Sequence, residues 1–137
     1  MIETEIEFAI RPYDVDMAGI VSNIVYVRWL EDLRVELFGK YIPARDMAER
    51  NLLAVVVRTE IDYRASLRYL DRCTGHIALV RLGRTSATLK AVFRKSHRTS
   101  VVEATQVCVL TDTTTGKAVP LPEDVRALLE SNPSARE

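Results

Sequence analysis

At 137 residues the chain amounts to one domain, long enough to bury roughly two thirds of its unfolded surface. Its 19 basic and 19 acidic side chains balance, and the pI of about 6.7 argues against the general affinity for nucleic acid or anionic membrane that a basic excess confers. The longest apolar run, Leu52 to Val57, falls far short of the ~20 residues a membrane span requires.

The chain opens Met1-Ile2-Glu3-Thr4-Glu5, acidic and without the basic and apolar regions of a signal peptide, so a cytoplasmic protein is expected. Glu5 to Ile10 reads as a first strand. Arg11-Pro12 ends it, because Pro12 has no N–H and pushes its neighbour toward extended geometry. A loop follows as far as Ser22 or Asn23, either of which suits a helix N-cap. From Ile24 to Phe38 the apolar residues Tyr26, Leu30, Leu33 and Leu37 recur at helical spacing, widened by Trp29 and Phe38. Gly39 is placed to stop this helix, and Arg28 with Asp32 and Glu31 with Arg34 are spaced to pair on its outer side.

After a loop around Pro43 the period changes. Leu53, Val55, Val57, Thr59, Ile61 and Tyr63 alternate with Ala54, Val56, Arg58, Glu60 and Asp62, which predicts a long strand, apolar on one face. Three more strands follow at hairpin spacing, Cys73–Leu82, Ser86–Ser96 and Val101–Asp112, with turns at Gly83-Arg84 and His97 to Ser100. Pro122 begins a short helix, Glu123–Glu130, and the polar stretch 131–137 is expected to fray, leaving 1–130 as the domain. One strand, one long helix and four consecutive strands give an α+β fold, an antiparallel sheet of about five strands packed on one helix. Its open edges predict a homodimer or a homotetramer.

The chemistry centres on Asp16, a carboxylate seven residues before the amide of Asn23. A helix start presents unpaired N–H groups and the positive end of the helix dipole, which can polarise a carbonyl oxygen. A carboxylate beside it can attack that carbonyl or activate water to do so. Acyl transfer to water is the reaction this pattern supports. Cys73 and Cys108 read as free thiols, and His76 and His97 have no metal-ligand spacing, so no metal or redox cofactor is expected.

Tyr13-x-x-Asp16-x-x-Gly19-x-Val21, with Tyr26, Trp29, Glu31 and Arg34 on the helix, resembles the 4-hydroxybenzoyl-CoA thioesterase-like family of hotdog-fold proteins. The likeness continues through Ile61-Asp62-Tyr63, Leu67 to Asp71, Leu82 to Ser86, Thr115-Gly116-Lys117 and Pro120 to Glu123. The resemblance implies a sheet wrapped around a central helix, subunits joined at their sheet edges, and acyl-CoA sites at the subunit interface. It makes Asp16 the catalytic acid and the backbone N–H of Asn23 the group that polarises the thioester carbonyl. Gly19 lets the backbone pass close to substrate. Tyr13, Ile20, Val21 and Ser22 become candidate substrate-binding residues. So do Arg84, Thr85 and Ser86, part of a basic hairpin with Arg81, Lys90, Arg94 and Lys95 that suits coenzyme A phosphates.

Related acyl-CoA thioesterases carry His at the position of Asn23, and the hydroxybenzoyl enzymes carry Tyr. The Val21-Ser22-Asn23 segment is similar to acyl-ACP thioesterases, whose further Asn and His fall here on Ala18 and Ile20. Acyl-CoA hydrolysis is therefore the first expectation. Hydrolysis of acyl groups on a carrier protein and a non-catalytic acyl-thioester-binding protein are the alternatives.

Overall fold

The computed structural model describes residues 2–131. Alternating side chains build its sheet. Along β5 (Thr99–Asp112), Val102, Ala104, Gln106, Cys108 and Leu110 turn inward and are buried. β5 lies between β4 (Ser86–Lys95) and β2 (Leu52–Tyr63). With β3 (Cys73–Leu82) and β1 (Glu3–Phe8), these make a five-stranded antiparallel sheet in the order β1-β3-β4-β5-β2. β1 occupies Glu3–Phe8 rather than Glu5 to Ile10, because its ladder ends where Phe8 meets Cys73, the first residue of β3.

The central helix α1 (Asn23–Tyr41) lays Tyr26, Trp29, Leu30, Leu33 and Leu37 into the core. Gly39 does not stop it. That residue lies on the exposed side, and the helix runs on until Pro43 forces Ile42 into extended geometry, φ −135° and ψ 102°. The expected loop around Pro43 contains a short helix, α2 (Ala44–Glu49), whose first turn is closed on the Pro43 carbonyl by the N–H groups of Asp46 and Met47. α3 (Glu123–Glu130) lies where expected and adds Val125 and Leu129 to the core, which extends from Ile2 to Leu129.

Near the start of α1 the aromatic rings interlock. Phe8 stacks on Trp29 with centroids 4.8 Å apart, and Tyr26 meets Trp29, Phe93 and Tyr63 edge-on at 5.4, 5.5 and 5.8 Å. Gly75 makes this possible: a Cβ there would lie 2.7 Å from Phe8 and 2.9 Å from Phe93.

Two further expectations need correction. The alternation along β2 is broken by a bulge at Val57, where Val56 pairs with Cys108 and Arg58 with Val107. No residue of β2 is buried, and Leu53, Val56 and Val57 stand exposed on this edge strand. The expected helix-surface pairs Arg28–Asp32 and Glu31–Arg34 are also not formed. Arg34 turns inward, and its Nη1 donates to Gln106 Oε1 at 2.7 Å.

Candidate active site

The loop after β1 is a tight hairpin. Arg11 to Asp14 close a single 3-10 turn in which the buried Asp14 accepts from the Arg11 N–H at 2.8 Å, so this acid is turn-forming and not solvated. Val15 then bridges Val21 across the hairpin, and the Asp16 N–H donates to the Ile20 carbonyl at 2.9 Å. The seven-residue separation between Asp16 and Asn23 thus folds back on itself as a hairpin that leads directly into the helix. Gly19 permits the reversal with φ +79°, a conformation other residues adopt at a cost. Two further ties fix the hairpin: the Ser22 N–H donates to the Asp14 carbonyl at 2.9 Å, and the Val21 N–H donates to the Leu67 carbonyl at 2.8 Å.

The Asp16 carboxylate is exposed in the single chain and aimed by its own loop. Oδ1 accepts from the Ala18 N–H at 2.8 Å and from the Ile20 N–H at 3.4 Å. Oδ2 has no partner among the described residues. Ser22 is the N-cap of α1, without a side-chain cap, and Asn23 is the first helical residue. Among the described residues nothing accepts from the Asn23 N–H. Its carbonyl receives the Tyr63 hydroxyl at 3.2 Å. A carboxylate oxygen without a partner and an amide without an acceptor, the latter at the positive end of a 19-residue helix, therefore lie on one hairpin-to-helix segment.

Along the chain Tyr13, Met17 and Ile24 flank these residues and are exposed, as is Leu70 in the Arg68 loop, by 87%. Ile20 bridges Arg68, whose Nη1 stands 3.8 Å from where a Cβ of Gly19 would lie. Sequence reasoning missed Arg68 as a neighbour of Asp16, since only the tertiary fold brings the two loops together.

Arg84, Thr85 and Ser86 do not join this group in one chain. They lead into β4, which Ser86 begins, at the end opposite Phe93, which packs near the start of α1. The Arg84 carbonyl anchors the Leu121 N–H at 3.1 Å and so holds the approach to α3. Thr85 and Ser86 line a separate cavity of about 480 Å³ beside the C-terminal half of α1. Of the basic hairpin, Lys95 is spoken for by Asp71 at 3.5 Å.

The other titratable groups are structural in setting. Burial pushes the Cys73 thiol up to about 12, and it pushes the Cys108 thiol up against the opposing charge of Arg34. Both cysteines are free. His76 and His97 lie within 3.5 Å of Glu3 and 3.7 Å of Glu5 respectively. Among the described residues no three His, Cys, Asp or Glu side chains are grouped to hold a metal ion. Among the described residues no helix is long and apolar enough to cross a membrane.

The profile of the Thioesterase-like superfamily matches residues 10–129, from the end of β1 through α3. The chain belongs to that superfamily. A protein of Aquifex aeolicus (strain VF5), provisionally named an esterase, is 29% identical over 119 residues, 86% of this chain and 91% of its own length. A thioesterase of Thermus thermophilus, solved with coenzyme A and Zn, is 26% identical with a TM-score of 0.80 over 93% of this chain and 91% of that one. The DHNA-CoA thioesterase of Staphylococcus aureus is 16% identical, and its TM-score of 0.87 over 96% of this chain and 91% of that one shows the shared fold. The sheet packed on one long helix is the hotdog fold, as the thioesterase-like resemblance implied.

Proposed function

We propose that this superfamily member is an acyl-CoA thioesterase, converting an acyl thioester and water to a free acid and coenzyme A. Asp16 is the nucleophile or general base, and the Asn23 N–H receives the oxyanion. As general base, Asp16 takes a proton from water as the water oxygen adds to the carbonyl carbon. The C–S bond then breaks, and the thiolate leaves with that proton. As nucleophile, Asp16 forms a mixed anhydride with loss of the thiolate, and water hydrolyses the anhydride. Coenzyme A enters only as substrate, and neither route calls for a metal or redox group.

The observation that carries the reading is the state of Asp16: Oδ1 is tied to Ala18 while Oδ2 is free, on a hairpin that ends at the unpaired Asn23 amide. Losing one oxyanion donor typically costs about 3 kcal/mol of transition-state stabilisation. The kinship with a thioesterase solved with coenzyme A supports the substrate class.

A homodimer completes the site in this reading. The β1 edge is short and carries Glu3, Glu5 and Glu7, which discourage pairing. The β2 edge has 12 residues, with Leu53, Val56 and Val57 exposed, and it suits a second copy of itself. Such a partner would cover the apolar surroundings of Asp16 and bring its own Arg84 to Ser86 hairpin toward them.

The deciding experiment follows thiol release from a panel of short, long and aromatic acyl-CoA thioesters, with the matching acyl-carrier forms alongside. Wild-type protein should turn over at least one acyl-CoA, and Asp16→Ala should reduce the rate by roughly 10²-fold or more. An Asp16→Ala protein with the unmodified rate would overturn the mechanism. Faster hydrolysis of the carrier-bound form would move the substrate to acyl carrier protein, and binding without hydrolysis across the panel would leave only an acyl-binding protein.

A further inference from the structure

The cavity beside the C-terminal half of α1 is walled largely by apolar side chains, among them Val35, Phe38, Ile42, Leu110 and Leu121. One cation is set in that wall. Arg34 is half-buried, and its Nη1 donates to Oε1 of Gln106 at 2.7 Å. Gln106, itself only 2% exposed, donates from Nε2 to the Thr59 hydroxyl at 3.1 Å. The guanidinium is therefore held by one neutral group, Gln106, which Thr59 holds in turn.

It also lacks a counter-ion. Guanidinium has five N–H donors, and among the described residues a single donation, to Gln106, is made. No carboxylate among the described residues forms an ion pair with Arg34. Among the described residues Glu31, one turn earlier, is the lone acid lining the cavity; it is exposed and does not pair with Arg34. The charge is felt inside, since it opposes the rise in the buried Cys108 thiol. A positioned cation without a counter-ion, half-buried in an apolar wall, is set to receive a ligand anion.

We infer that this cavity binds an aliphatic carboxylate, the chain lying along the apolar wall and the carboxylate meeting the guanidinium of Arg34. A neutral amphiphile would leave the charge unanswered. A phosphate would bring more charge than one guanidinium can meet. Carboxylate and guanidinium match in planar, two-pronged geometry. No residue of the Asp16 hairpin lines the cavity. The carboxylate belongs either to a free fatty acid or to the far end of a dicarboxylic acyl thioester, and this second source rests on the thioesterase reading above.

Calorimetric titration of the full chain with decanoate and with decanol tests the site without any turnover. Decanoate should bind wild-type protein about tenfold or more tighter than decanol. Arg34→Gln should erase that preference while leaving decanol binding in place, and Arg34→Lys should keep part of it. Ala48→Trp, at an exposed position on α2 that lines the cavity, should weaken both ligands. Equal affinities in the wild type, no binding of decanoate, or an intact preference in Arg34→Gln would each overturn the inference. If Arg34→Gln fails to fold, the wild-type comparison and Ala48→Trp still decide.

Hydrolysis of decanoyl-CoA and of its ω-carboxy counterpart separates the two sources. Preference for the ω-carboxy thioester, lost in Arg34→Gln, assigns the carboxylate to the substrate. Equal rates with decanoate bound assign it to a free acid. Decanoate binding without hydrolysis of any thioester would defeat the proposed function and leave this site standing.

Discussion

The hydroxyl of Tyr63, the last residue of β2, donates to the carbonyl of Asn23, the first residue of α1, at 3.2 Å. This bond ties the exposed edge strand to the helix start, where the unpaired Asn23 amide stands. Tyr63→Phe keeps the edge-on contact with Tyr26 and removes only the bond, so it should cost about 1 kcal/mol of stability. Urea denaturation measures that loss, and a variant as stable as wild type would show that the contact contributes nothing.

Asp14 and Asp16 should separate stability from activity. Asp14 is buried and accepts the Arg11 N–H, so Asp14→Ala strands a donor and should destabilise by about 1–3 kcal/mol. Asp16 is exposed, and Asp16→Ala should move the melting temperature little while removing most hydrolysis. Equal losses of melting temperature in the two variants would contradict this division.

Gly75→Ala should be overpacked. Its Cβ would fall inside contact distance of both Phe8 and Phe93, in the ring cluster that seats the start of α1. A loss of about 1–3 kcal/mol is expected, read from thermal unfolding. A neutral substitution would mean that the rings have room to move apart.

Alkaline solution should destabilise the fold. Burial holds the Cys73 thiol at about 12 against an ordinary 9.0, so unfolding releases a proton between those values. The contribution is whole below about pH 9 and is lost as the pH rises toward 12. Burial raises the Tyr26 phenol as well, with Cys73 and Tyr63 adding to the rise, and steepens the loss. Comparing urea midpoints at about pH 8 and about pH 10.5, the decrease should be smaller in Cys73→Ala than in wild type. An equal decrease would remove Cys73 as a cause.

Val57→Lys places a charge at the exposed bulge of the apolar edge strand. If β2 pairs with its copy, sedimentation should show a dimer in wild type and a monomer in the variant, with hydrolysis falling alongside. A dimer that survives Val57→Lys would move the interface elsewhere.

Local chemistry made much of this protein readable as a sequence. The alternation in β3, β4 and β5 and the helical spacing from Tyr26 to Leu37 each rest on a short-range period, so their elements fall within a few residues of expectation. The segment carrying Asp16 read only as a loop, and its closure into a hairpin at Gly19 came from the structure. Where one local signal met another of similar strength, the reading failed. Gly39 yielded to Pro43 as the helix stop, and the pattern of β2 slipped at the Val57 bulge.

Tertiary structure alone decided what depends on residues far apart in sequence. Arg34 looked like a partner for Glu31 one turn away, yet it answers Gln106, 72 residues on, because β5 runs beneath that face of α1. Arg68 reached the Asp16 loop, and Thr85 and Ser86 reached the cavity, by the same long-range folding. Periodicity tells a side chain which face to take. What waits on that face is fixed only when sheet and helix pack together.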